Sequence, residues 1–355
     1  MQATEGHDHG VNRRKFLQLT GGLAAVGLAS AAAGVGACTA SKPQASSGAP
    51  AAAADAMDQM SPTPAPGSER PQGNGQLASV RDATLPPLDP NPSKTLLIEA
   101  KDPVPHEVAG GVTMDAYTFD GVVPGKVVHL RQGDTLDFTL RNSGTMGHSI
   151  DFHAAQTPWN INYKTIIPGQ ELKFTWKANY PGTFMYHCGT APVLQHLLNG
   201  MYVAVVVDPA EPLSPAREYV LVQSEFYLSK GTSGNWDGDL VRAMAVTPDF
   251  VVFNGAANQY QQQPLSAAAG ELIRLHVVNA GPTLFSAFHV IGAIFDRVYP
   301  DGNPANILHG VQTWTIPPGG AAMFELTLPE AGQYLFVTHS FAYTGLGALG
   351  VIEAK

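Results

Sequence analysis

The sequence predicts an all-β protein of two tandem Greek-key β-barrel or sandwich domains, and three observations carry that prediction. Charged residues make up only 14% of the 355, while Gly (37) and Pro (28) abound, a balance suited to short strands and many turns. Apolar residues recur with period two: Leu136, Phe138 and Leu140 in one stretch, Leu172, Phe174 and Trp176 in another. The second half then echoes the first, which points to a duplicated unit.

Taken in order, the chain opens with Asn12-Arg13-Arg14-Lys15-Phe16-Leu17 and an apolar, Gly/Ala-rich run over 19–37. A positive head before a weakly hydrophobic stretch is a secretory signal, and the paired arginines resemble a twin-arginine (Tat) signal. The run ends in Val35-Gly36-Ala37-Cys38, which resembles a lipobox. Residues 1–38 are therefore expected to direct export to the periplasm or cell surface, with a lipid anchor on Cys38. Ordinary cleavage nearby, with Cys38 discarded, is the alternative. No other segment is long and apolar enough to span a bilayer, so contact with a membrane is expected only through that anchor.

Residues 39–94 are dominated by Ala, Pro, Ser, Gly and Gln and hold no aromatic residue. Such a stretch buries too little surface to offset its ordering entropy and is expected to be a flexible tether. Strands begin near residue 95. The continuous apolar run 201–207 suits a strand buried on both faces, with a short helical turn expected just before Met201. The join between domains falls near Asp208-Pro209, giving domains at 95–209 and 210–355. Across that join Phe119-Asp120-Gly121 is matched by Phe253-Asn254-Gly255, and Pro168-Gly169 by Pro318-Gly319. The net charge of −9, with no Lys/Arg cluster beyond the N-terminus, excludes an ordinary nucleic-acid binder.

Function must come from the side chains this scaffold carries. The only cysteines are Cys38 and Cys188, in unrelated contexts, so a disulfide framework is not expected. Cys188, His196 and Met201 form a compact loop of soft ligands; with His148 they make His2Cys plus an axial Met, the blue-copper (type 1) set. Taken singly, Cys188 and Met201 read better as buried core. Strand parity extends the pattern. His187 and Cys188 are adjacent and face opposite ways, and His148 and His153 differ by five, so they also point apart. His153 and His187 can thus meet on the other face, with His339 as third imidazole for a second metal. Asp151 shares the side of His153 and could transfer protons there, or be an ordinary structural carboxylate.

At these residues the sequence resembles the copper-containing nitrite reductases. The stretches that carry the resemblance are Gly147-His148-Ser149-Ile150-Asp151-Phe152-His153, Tyr186-His187-Cys188, Ala191-Pro192 with His196 and Gly200-Met201, Phe288-His289-Val290-Ile291-Gly292, and Thr338-His339-Ser340. The resemblance covers about residues 95–355 and implies two cupredoxin-like domains. It also implies two coppers per chain: type 1 on His148, Cys188, His196 and Met201, and type 2 on His153, His187 and a neighbouring subunit's His339 in a homotrimer. Asp151 and His289 match the proton-delivering pair, and Ile291 an isoleucine shaping the substrate pocket. Gln312 and Thr313 fall where the family orients the second-domain His. The implied activity is one-electron reduction of nitrite to nitric oxide, fed by a small redox protein, a cupredoxin or cytochrome c. The segment 156–167 departs from the pattern. Two rivals remain, an electron-carrying cupredoxin protein and a multicopper oxidase. The first leaves three histidines unexplained. The second needs His-x-His pairs, of which none lies beyond residue 38.

Overall fold

A computed structural model of the chain describes residues 69–355, so the expected signal, Cys38 and the tether up to residue 68 lie outside the described residues. Four sheets build the rest, and strands dominate. In the first barrel the long strand Ser93–Ala109 runs antiparallel to Val112–Phe119 and parallel to Thr135–Asn142, which pairs in turn with Glu171–Lys177. The facing sheet orders Val128–Arg131, Tyr202–Asp208, Gly182–His187 and Asp151–Phe152. The second barrel repeats this scheme. Arg217–Phe226 runs parallel to Leu272–Gly281, which pairs antiparallel with Ala321–Thr327; opposite them lie Leu265–Ala267, Leu349–Ala354, Gly332–Thr338 and Ser286–Val290. Parallel pairs require a crossover connection rather than a hairpin, and both halves carry them in the same places.

The matched tripeptides are the same turn used twice. Asp120 and Asn254 take φ of 59° and 53°, and the glycines after them φ of 78° and 89°. Successive left-handed residues need Gly at one position and tolerate Asp or Asn at the other. Each polar side chain then reaches the neighbouring strand: Asp120 Oδ1 accepts from Glu99 N–H, and Asn254 Oδ1 from Val222 N–H, at 2.9 and 2.8 Å.

The strand Tyr202–Asp208 is buried on both faces, as its apolar run requires. Met201, Val203, Val205 and Val207 enter the first core, while Tyr202, Ala204 and Val206 enter a separate cluster between the barrels. Arg217–Phe226 does the same from the other side: Tyr219 and Leu221 fill the second core, and Val220 and Val222 join the shared cluster. The helical turn expected before Met201 is present as Val193–Leu198.

Two features differ from the sequence reading. Part of the 39–94 tether is ordered structure, because 69–92 lies along both barrels. Leu77 and Ala83 are buried, Leu77 exchanges two hydrogen bonds with Gln262, and Ala83 C=O accepts from Val220 N–H. Arg81 donates to the carbonyls of Pro124 and Gly125 in the first barrel while its own N–H donates to Gln259 in the second half. Its few apolar residues cannot form a core alone, so its order comes from the surface it covers. The second feature lies past the Asp208-Pro209 join, where Leu228–Lys230 and Trp236–Gly238 extend the first barrel's sheet through Trp236 opposite Met114. Among the described residues no helix is long and apolar enough to cross a membrane.

Candidate metal centres

The strand Gly182–His187 ends between two clusters of metal-binding atoms. On its inner side the Cys188 Sγ lies 3.4 Å from His196 Nδ1 and 3.9 Å from His148 Nδ1, with all three side chains 0–4% exposed. Met201 shares the same buried cluster. Two backbone bonds close this loop: Cys188 N–H donates to Met201 C=O, and Met201 N–H donates to His196 C=O. Burial pushes the Cys188 thiol above its usual range, and burial beside His148 lowers His196 to about 4. Two neutral imidazoles and a thiol shut away from water present soft lone pairs to one point. That donor set fits copper, whose charge would hold the thiolate form.

The His148 ring is fixed from behind. Its Nε2–H donates to Asp102 Oδ1 at 2.7 Å, which turns Nδ1 toward the sulfur. Asp102 also accepts from Thr145 N–H and Oγ1–H at 2.9 and 2.6 Å. Burial raises its pKa, but the Thr145 and His148 donors outweigh that and hold the carboxyl below the usual range.

On the opposite side His187 and His153 meet, Nε2 to Nε2 at 3.1 Å. His187 Nδ1 lies 3.0 Å from Cys188 C=O, and His153 Nδ1 lies 3.1 Å from Gly319 C=O. A carbonyl can only accept, so each Nδ1 carries the proton and each Nε2 a bare lone pair. Two acceptors facing each other at that distance repel unless a cation joins them. This cluster therefore also fits a metal. Asp151 pairs with His187 across the ladder, so both side chains share a face, and its Oδ2 lies 3.8 Å from His187 Nε2. Burial, aided by the neighbouring His153, lowers the His187 pKa.

Parity thus brings together His148, Cys188, His196 and Met201 on one side and Asp151, His153 and His187 on the other. His339 is not in that second cluster within one chain. It is exposed on the second barrel beside His289, with ring centroids 5.3 Å apart. His289 Nδ1–H donates to Gln312 C=O at 2.6 Å, leaving Nε2 free to act. Phe288 of the same strand is fully buried, so His289, and Ile291 two residues on, face away from the core. The segment 156–167 forms a short helix, Trp159–Asn162, and its Ile166 pairs back with His148 through two backbone bonds. Sequence reasoning missed Asp102, Thr145 and the Gly319 carbonyl. The carbonyl has no sequence signal, and an Asp-Pro pair inside a strand signals only an irregularity.

These geometries agree with comparisons to known proteins. A family described as Multicopper oxidase matches residues 102–212. The copper-containing nitrite reductase of Neisseria gonorrhoeae is 41% identical over 253 residues, covering 69% of this chain and 64% of that protein's length. That of Alcaligenes xylosoxydans xylosoxydans is 34% identical over 65% of this chain and 76% of its own. The solved copper nitrite reductase from Nitrosomonas europaea superposes with a TM-score of 0.68 at 38% identity, over 74% of this chain and 94% of that one. With two donor clusters back to back on one strand, two cupredoxin-like barrels and this degree of identity, the chain belongs to the copper-containing nitrite reductases.

Proposed function

We propose that this chain reduces nitrite to nitric oxide and water, taking one electron and two protons per turnover. The observation that carries the reading is the adjacency of His187 and Cys188, each at the centre of its own donor cluster on opposite sides of a strand. His148, Cys188, His196 and Met201 would hold a type 1 copper, and His153, His187 and the His339 of a neighbouring subunit a type 2 copper. When bound, copper supplies one-electron chemistry and, at the type 2 position, Lewis acidity toward nitrite oxygen. The chain's own part is to connect, orient and protonate. The Cys188–His187 peptide is a short through-bond path between the two donor sets. Asp151, whose Oδ2 lies 3.8 Å from His187 Nε2, would pass a proton to nitrite held beside that imidazole. His289 offers its Nε2 as second proton source, its Nδ1 being anchored on Gln312. Ile291, on the same face as His289, would wall the nitrite pocket. An exposed His339 beside the half-buried His289 on one barrel, and an incomplete pair on the other, support a homotrimer in which each site spans two subunits.

A small redox protein, a cupredoxin or cytochrome c, is the proposed electron donor. Residues 12–17 and 35–38 support Tat export and a lipid on Cys38, with 39–68 as tether. A multicopper oxidase would need His-x-His pairs, which are absent from 39–355, and Cys188 is followed by Gly189 rather than His. The test of function is anaerobic nitrite turnover by copper-loaded protein with nitric oxide detection. Two coppers per chain without nitric oxide would end the reading.

A further inference from the structure

The pairing of the long first strand slips at two places, and the first of them lies beside the buried cluster. Its pairing with Val112–Phe119 slips between Lys101 and Val104, so that Asp102 and Pro103 stand opposite Tyr117 alone. Asp102, at the start of the slip, keeps the inward parity of Ile98 and Ala100; its side chain is 1% exposed and bonded to the fully buried His148. Tyr117, on the other side of the bulge, packs edge-on against both His148 and His196, at centroid separations of 6.1 and 5.7 Å. Among the described residues no Lys or Arg pairs with Asp102; its donors are Thr145 and His148.

We propose that Asp102 is a positioning residue for the Cys188 centre, which fixes the His148 ring and places a buried carboxylate charge one imidazole away from the metal, favouring its oxidised form. The proposal rests on the copper reading of that centre. The charge count gives its direction. Thiolate, carboxylate and Cu2+ sum to zero, and adding an electron leaves a net negative charge in a site shielded from water. With a neutral residue at 102 the reduced form would be the neutral one. Hydrogen-bonded carboxylates behind metal-bound imidazoles raise ligand basicity, which acts in the same direction.

Asp102→Asn keeps an acceptor for His148 and removes the charge. On copper-loaded full-length protein, a redox titration followed by the thiolate-to-copper absorption should show the Cu(II)/Cu(I) equilibrium moved about tenfold toward Cu(I), which is about 59 mV. An equilibrium within about twofold of the parent, with an unchanged spectrum, overturns the proposal. If Asp102→Asn does not fold, Thr145→Val serves instead: it removes one donor from the carboxylate, leaves more charge facing His148 and should shift the equilibrium two- to threefold toward Cu(II), by about 20–30 mV. No shift, or a shift toward Cu(I), overturns the proposal equally. A parent protein that binds copper without any thiolate-to-copper absorption would instead sink the reading of the centre itself, so the two failures are distinguishable.

Discussion

Asp151 and His187 sit opposite each other on paired strands, and that one relation separates binding from chemistry. Removing the acid while keeping the shape should leave the donor atoms in place. Asp151→Asn is expected to retain both coppers yet lose at least about 100-fold in nitrite turnover. Metal analysis beside steady-state nitric oxide production checks this, and turnover at the parent rate would remove Asp151 from the proton path. The grouping of these side chains was readable in the sequence, because in a regular strand parity alone decides which residues share a face. Asp102 shares the inward parity of Ile98 and Ala100, but parity names a face and not a partner. That it meets His148, 46 residues along the chain, depends on how the strands are brought together.

Elements with few apolar residues are the hardest to read from sequence. The 69–92 strap holds Leu77, Val80, Ala83 and Leu85 but no aromatic residue, which locally is the composition of a tether. Its order comes from backbone and side-chain bonds to groups far along the chain, such as His129 Nδ1–H to Pro86 C=O and Leu85 N–H to Glu218 C=O. Arg81 is its principal clamp, and burial lowers the guanidinium pKa from its usual value. Arg81→Ala is expected to cost about 1–3 kcal/mol in denaturant unfolding and to open 69–92 to protease first. Gly110→Ala should free only the strap's leading end, since a Cβ there would clash with the Gly75 carbonyl. Unchanged proteolysis of Arg81→Ala would show that the strap holds without its clamp. The strands themselves were legible, because alternation and turn residues are local signals, and the duplicated Phe-Asp/Asn-Gly turn marked the repeat.

At the scale of the whole molecule, a single chain exposes two half-sites, His153 with His187 on one barrel and His289 with His339 on the other. If each working centre spans two subunits, neither His153→Ala nor His339→Ala should turn over nitrite alone. Co-assembled as mixed trimers, however, they should regain activity at about a third of the interfaces, where an intact His153 meets an intact His339. Expression of both variants together, with the mixed assembly isolated by two tags, measures this. No recovery in a mixed assembly would place the third ligand elsewhere. That intersubunit arrangement could not be derived from spacing, which concerns one chain at a time; it entered only through family resemblance.

The strand Tyr202–Asp208 packs into the first core with one set of side chains and against the second barrel with the other. A partition shared in this way makes the fate of one half the fate of its neighbour. Heating should therefore melt both barrels in one calorimetric transition. A ligand that tightens the Met201 end of that partition should raise the melting temperature of residues far from any metal.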